Sequence, residues 1–138
     1  MPAKDIYHEC AKNALIKDGW TITDDSFTLK WGQREMYIDL GAEKLLAAKK
    51  ENYKIAVEVK SFIGPSPVKD IRDALGQFVF YNDILARTEP ERTLYLAIRK
   101  VTFHNLFAED IGQILLENQR IRLIVFDPET EGIIKWIP

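Results

Sequence analysis

One strand constrains this chain more than any other segment. The run Tyr53-Lys54-Ile55-Ala56-Val57-Glu58-Val59-Lys60 reads as a strand, and Gly64-Pro65-Ser66-Pro67 breaks the chain after it. Successive side chains of a strand point to opposite faces. Ile55, Val57 and Val59 therefore share one face, which reads as buried. Glu58 and Lys60 share the other, and a central position in a sheet would partly enclose that face too. Charges placed there without partners are costly. The strand thus asks both for a covered sheet and for an explanation of its carboxylate.

The flanking segments suit such a sheet. Ile6, Tyr7, Cys10, Ala11, Ala14 and Leu15 recur at spacings of three and four, a helical stripe that Gly19 ends. Trp20–Thr23 and Phe27–Trp31 alternate as strands around a turn at Asp24-Asp25-Ser26. Met36–Leu40 is a further strand. Ala42–Lys50 is ambiguous. Its Ala, Glu, Lys and Leu content favours helix, whereas a turn near Glu51-Asn52 would make it the returning arm of a hairpin with the next strand, the reading adopted. Ser66 can cap a helix with Pro67 in its first turn, running to about Leu85 with Ile71, Leu75, Phe78, Asn82 and Leu85 near one face. Then come a strand at Thr93–Ile98, a helix from Phe103 to about Glu117 capped by Thr102, and strands at Arg122–Phe126 and Ile133–Ile137. The expected class is α/β (α+β): a mixed sheet flanked by helices, in one domain over 1–138.

Composition excludes several functions. Of the 138 residues, 46% are apolar and 29% charged, which is a folding composition. The 19 basic and 21 acidic residues leave a net charge of -2, so histone-like binding of nucleic acid is out, while a local basic patch is not. The single cysteine, Cys10, excludes a disulfide framework or multi-cysteine zinc site and suggests a reducing, cytoplasmic setting. No apolar run approaches the ~20 residues of a membrane span, and the N-terminus lacks a signal-peptide core.

The chemistry centres on Asp39 and Glu58. If their strands pair, the two carboxylates lie side by side, where they repel and take up either a proton or a cation. With the Val59 carbonyl and waters they form a hard-oxygen site suited to Mg²⁺ or Mn²⁺. Lys60 can stabilise phosphate or position the attacking water. Gln77 and Tyr81, four apart, share a helix face that Asp70 and Asp73 extend. They can hold a water, a phosphate or a base edge, or simply form the polar side of an amphipathic helix. Lys30, Arg34, Lys69 and Arg72 are basic residues near the proposed site. Lys69 and Arg72, early in the same helix, can guide a DNA strand or be ordinary surface charge. His8, Glu9 and Cys10 do not make a metal box, since neighbouring helical residues point about 100° apart. Cys10 reads as a core thiol and His104 as solvated. No phosphate loop, Ser-His-Asp arrangement or zinc pattern is present.

An acidic residue ending an apolar strand, then Glu-x-Lys, then Gln-x-x-x-Tyr on the following helix resembles the PD-(D/E)xK nuclease superfamily. That resemblance implies a restriction-endonuclease-like core in the order α-β-β-β-α-β-α-β-β. It implies Mg²⁺ (or Mn²⁺) on Asp39 and Glu58, water activation by Lys60, and support of the metal or the DNA backbone by Gln77 and Tyr81. It also points to Glu9 as the first-helix glutamate many members carry. The usual Pro-Asp pair is replaced by Ile38-Asp39. Across nearly the whole chain, the strings Ile38–Glu43, Ile55–Phe62, Ala74–Phe78 and Ile124–Pro128 resemble the XisH family, the fdxN element excision controlling factors of cyanobacteria. This implies a role in excising a DNA element during heterocyst differentiation, with DNA and a small XisI-type protein as partners and no membrane; a homo-oligomer is left open. A nuclease, a non-catalytic DNA-binding regulator and an adaptor for XisI all fit the name. An apolar patch near Phe103, Phe107 or Trp136-Ile137 would favour the adaptor.

Overall fold

A computed structural model describes residues 4–46, 48 and 51–138. Helix α1 (His8–Lys17) leads into five strands: β1 (Thr21–Asp24), β2 (Phe27–Trp31), β3 (Arg34–Ile38), β4 (Leu40–Leu46) and β5 (Glu51–Val59). Helix α2 (Pro67–Thr88) and strand β6 (Arg92–Arg99) follow. A short turn of helix α3 (Lys100–Thr102), a π-helical segment (Phe103–Phe107) and α4 (Asp110–Glu117) lead to β7 (Leu123–Asp127) and β8 (Gly132–Ile137).

Six strands form one sheet in the order β1-β4-β5-β6-β7-β8. β5 pairs antiparallel with β4 and parallel with β6, and β6 pairs parallel with β7. The strand that carries Glu58 is therefore internal, as its β-branched run demands. Its two faces enter two different cores. Ile55, Val57 and Val59 pack with Ala11, Ala14 and Leu15 of α1. Ala56 packs on the opposite side with Ala74, Phe78 and Leu85 of α2. Glu58 has the same parity as Ala56, so it lies on the α2 side, deep in the sheet.

Helix α2 forms as its punctuation predicts. The Ser66 hydroxyl accepts from Lys69 N, and Pro67 occupies the first turn, where no amide donor is needed. Ile71, Ala74, Phe78, Ile84 and Leu85 are its buried residues, while Leu75 and Asn82 are half-buried.

Three local expectations are corrected. Five strands precede α2, as the strand-by-strand reading has it, where the nuclease resemblance implies three; β2 and β3 form a separate two-stranded sheet. Asp39 lies in no strand; it is the bend between β3 and β4. The helix expected over Phe103–Glu117 is broken, and Thr102 is buried inside its first part without a capping bond. The break has a packing cause. A Cβ on Gly112 would collide with the Leu106 carbonyl oxygen, so only glycine lets α4 fold this tightly back on the π-helical segment. The Gln113 amide donates to the Phe107 carbonyl across that contact. The hairpin expected over Ala42–Lys50 forms: Leu40 to Leu46 pair in register with Val57 to Glu51. Ala47, Lys49 and Lys50 lie outside the described residues.

Leu96 stands beside Glu58 in register and is 1% exposed. Leu96→Ala should lower the unfolding free energy by about 3 kcal/mol through lost burial and a residual cavity. Urea denaturation measures this, and a loss under about 1 kcal/mol would mean that the sheet core is looser than described.

Candidate active site

Asp39 occupies the joint between two sheets. Ile38 before it pairs with Phe27 in the small sheet, and Leu40 after it pairs with Val57 in the large one. The chain thus changes partner at this residue, and side chains take over the hydrogen bonds. Asp39 N donates to Glu58 Oε1 at 3.1 Å. Asp39 Oδ2 accepts from Val59 N at 2.7 Å. Glu58 so spends one oxygen on the amide of the bend and Asp39 spends one on β5, and neither gives its second oxygen to the backbone. Next along the chain, Lys60 N donates to the Ala97 carbonyl, which ties the end of β5 to β6.

The carboxylates open into a cavity of about 320 Å³ lined by Met36, Tyr37, Asp39, Glu58, Lys60, Gln77 and Tyr81. Lys60 Nζ lies 3.8 Å from Glu58 Oε2. Gln77 Nε2 donates to Tyr81 Oη at 3.0 Å, as their helical spacing allows. Glu58 is 8% exposed. Burial, reinforced by the charge of Asp39, pushes its carboxyl up to about 8, and Lys60 only partly opposes this. Burial likewise holds the Tyr81 phenol above its ordinary value, while its bond with Gln77 works the other way. Two acids and one ammonium in this partly open cavity leave the site short of positive charge.

The sequence model of the XisH family, described as XisH protein, matches residues 1–134. The chain belongs to the XisH family. An XisH family protein from Nostoc punctiforme is 38% identical, with a TM-score of 0.87 over 97% of this chain and 100% of that one. An fdxN element excision controlling factor protein from Anabaena variabilis is 41% identical, with a TM-score of 0.86 over 98% and 100% of the two chains. Both share the mixed sheet flanked by helices. No curated protein matches the chain.

Of the residues singled out from the sequence of this XisH protein, Asp39, Glu58, Lys60, Gln77 and Tyr81 meet in the cavity. Glu9 does not join them. It is exposed, 3.9 Å from Lys4, and its carboxylate gathers with His8 and Asp25 instead. That trio has ligand atoms within 4.8 Å of one another. However, Asp25 is already neutralised by Lys12 at 2.9 Å and Lys4 at 3.8 Å, which leaves it a poor cation site. Cys10 is half-buried against the α1-side core, and burial pushes its thiol up. His104 is exposed, as expected. Lys69 is exposed and bonded to Asp73 at 2.7 Å. Arg72 is exposed on the outer side of α2, roughly 140° around the helix from Gln77. The helix therefore does not carry Arg72 to the cavity.

Other contributors were not singled out from the sequence. Met36 and Tyr37 line the cavity because β3 runs up to Asp39. Asp5 and Arg99 hold the residue after Lys60: Asp5 Oδ2 accepts from Ser61 N at 2.9 Å, and Arg99 Nη2 donates to the Ser61 carbonyl at 2.8 Å. Arg99 had a signal, since a cation ending an otherwise apolar strand repeats the placement of Lys60. Asp5 had none.

The raised Glu58 carboxyl has a thermodynamic consequence. Glu58 binds its proton more tightly in the folded than in the unfolded chain. Its favourable contribution is full below its ordinary value of 4.5 and is lost as pH rises through about 8. In chelator, the wild type should lose stability over this window, and Glu58→Gln should flatten the decline and be the more stable at the alkaline end. Denaturant midpoints across the pH range measure it. A decline of the same slope in Glu58→Gln would remove Glu58 as its source.

Proposed function

We propose that this XisH protein hydrolyses DNA phosphodiesters with a divalent cation, Mg²⁺ or Mn²⁺, as part of controlling the excision of a DNA element. The observation that carries this reading is the reciprocal Asp39–Glu58 clamp beside Lys60, open to a cavity lined by Gln77 and Tyr81. The sequence order of these residues resembles that of PD-(D/E)xK nucleases, and the description of the Anabaena variabilis relative as an fdxN element excision controlling factor supports the excision role.

The residues fit a hard cation. The donors are oxygens: Asp39 and Glu58 each keep one carboxylate oxygen that is not spent on the backbone, with the Glu58 Oε2 atom 3.8 Å from Lys60 Nζ. The elevated Glu58 carboxyl is a second sign of fit, since a proton there fills a deficit of positive charge that a divalent ion would fill better. When bound, such an ion supplies Lewis-acid polarisation of a phosphate and acidification of water.

The chain's own groups do the rest. Backbone bonds from both strands fix the carboxylates, so little reorganisation is needed on binding. Lys60 places an ammonium at the cavity wall, where it can donate to a phosphate oxygen or orient the attacking water. The Gln77 amide and Tyr81 hydroxyl, already bonded to each other, offer further polar contacts to a phosphate or to water. The near-neutral net charge implies weak, salt-sensitive binding of DNA by the protein alone, which suits action with an XisI-type partner in a cytoplasmic complex. Among the described residues, no helix is long and apolar enough to cross a membrane.

A second reading, an adaptor for XisI, has its own observation. Trp136 packs against Trp20 at 5.7 Å and Tyr95 at 5.0 Å in an open groove of about 360 Å³ on the sheet face opposite the carboxylates. Phe107, by contrast, is buried and unavailable.

Linear, nicked and branched DNA incubated with the purified protein distinguishes the two. Cleavage should require Mg²⁺ or Mn²⁺ and stop with chelator. Asp39→Asn and Glu58→Gln should abolish it, and Lys60→Ala should slow it on the order of 100- to 1,000-fold. Cleavage that is undiminished in the Glu58 and Lys60 variants would reject the site. No cleavage of any substrate, with or without an XisI-type partner, would reject the nuclease and leave a non-catalytic DNA-binding regulator or the adaptor.

A further inference from the structure

Trp31 stands where the core runs out. In β2 it has the parity of Phe27 and Leu29, which are buried on the α2 side. It faces the same way, but it lies beyond Leu29, the last buried residue of the strand, and is 48% exposed. Opposite it, α2 exposes Phe80 at 55%. Between the two is an open hollow of about 270 Å³, lined also by the buried Ile84 and the exposed Asp83 and Arg87. Among the described residues no ring contact joins Trp31 to Phe80, so the two rings bound a gap.

This hollow and the carboxylate cavity have the same two walls. The hairpin of β2 and β3 gives Trp31 to one and Met36 and Tyr37 to the other, and α2 closes both. The rings of Phe80 and Tyr81, one in each, are 6.2 Å apart. Together the hollows make a groove between hairpin and helix, from Asp39 out to the hairpin tip. Arg34 pairs with Trp31 and precedes Asp39 by five residues. The run is therefore roughly 17 Å long, about five nucleotides at the stacked spacing of a DNA strand.

The chemistry of the outer hollow selects its occupant. An aromatic ring holds a base by stacking on its flat face. In a duplex both faces of each base are covered by its neighbours, so only an unpaired base can use Trp31 and Phe80. Arg87 and Arg34 make no ion pair or side-chain hydrogen bond among the described residues, which leaves both guanidinium groups for phosphates. A docked protein helix asks instead for an apolar floor, and Ile84 is the one aliphatic residue among the described residues lining this hollow.

We propose that the groove between the β2–β3 hairpin and α2 binds single-stranded DNA, with a base against Trp31 and Phe80 and a phosphate on Arg87. The proposal rests on the nuclease reading for what lies at the inner end of the groove, and it adds the substrate class: a single strand, or the unpaired arm of a branched DNA.

The full chain, in chelator and at low salt, is titrated into a fluorescein-labelled, mixed-sequence single strand of about 15 nucleotides, and into the same strand paired with its complement. Anisotropy gives both affinities. The single strand should bind about tenfold the tighter or more. Trp31→Ala and Phe80→Ala should each weaken it about tenfold, Trp31→Phe should keep most of the affinity, and none of them should change duplex binding. Arg87→Ala should lower the slope of log affinity against log salt by about 0.7. A duplex bound as tightly as the single strand, no binding of either, or affinities untouched by Trp31→Ala and Phe80→Ala would each overturn the proposal. So would a Trp31→Ala change that loosens an XisI-type partner and not the single strand, since the groove would then belong to a protein. Single-strand binding with these effects but no cleavage of any DNA would remove the nuclease and leave the groove. Cleavage of duplex DNA indifferent to Trp31→Ala would do the reverse.

Discussion

Everything at the site depends on one exchange of hydrogen bonds. The Glu58 carboxylate accepts from the amide of Asp39 itself, and the Asp39 carboxylate accepts from the amide of Val59 beside Glu58, where the regular ladder between β4 and β5 has run out. The exchange satisfies two backbone donors that would otherwise be stranded near the core. It also sets the half-buried Asp39 carboxylate against the buried Glu58 carboxylate, where screening by water is reduced. The raised Glu58 carboxyl follows from that arrangement. Stability and chemistry pull against each other here: the bonds that order the joint create the electrostatic strain that a proton or a cation must relieve.

The sheet makes this tolerable. β5 is enclosed by α1 on one side and α2 on the other, so its apolar residues contribute burial on both faces. Among the five buried residues at its end only Glu58 is charged, and there α2 leaves the cavity open. The loop that follows is then held from three directions, by Asp5, Arg99 and the Ala97 carbonyl. Lys60 thus hangs from a fixed backbone although its side chain is only half-buried.

The sequence was legible where local rules and burial agree. The β-branched run of β5, the Ser66–Pro67 start of α2 and the hydrophobic stripe of α1 each carry their own signal, and each formed where expected. Asp39, Glu58 and Lys60 were legible because charges beside buried strands are costly and so conspicuous. What stayed hidden depends on long-range contacts. The break at Ala108 follows from Gly112 pressing on the Leu106 carbonyl, which no periodicity reveals. The separate β2–β3 sheet was hidden for a related reason: Phe27–Trp31 alternates equally well in either sheet, and only the bend at Asp39 decides. Glu9 shares a helix with buried residues, yet its position on the outer side takes it to Lys4 and Asp25 instead of the cavity.

The two-stranded hairpin has a further meaning. An isolated pair of strands has little stiffness of its own. β2 and β3 keep their angle because Phe27 and Leu29 are buried in the α2-side core and the Arg92 guanidinium lies over the Phe27 ring at 4.6 Å. Asp39 is the next residue after the hairpin's last, so the hairpin is a lever whose short end is a carboxylate and whose long end is Trp31. Its fulcrum is the seat on the core. The seat of the hairpin on the core thereby fixes where Asp39 enters the joint, and with it the spacing of the two acids.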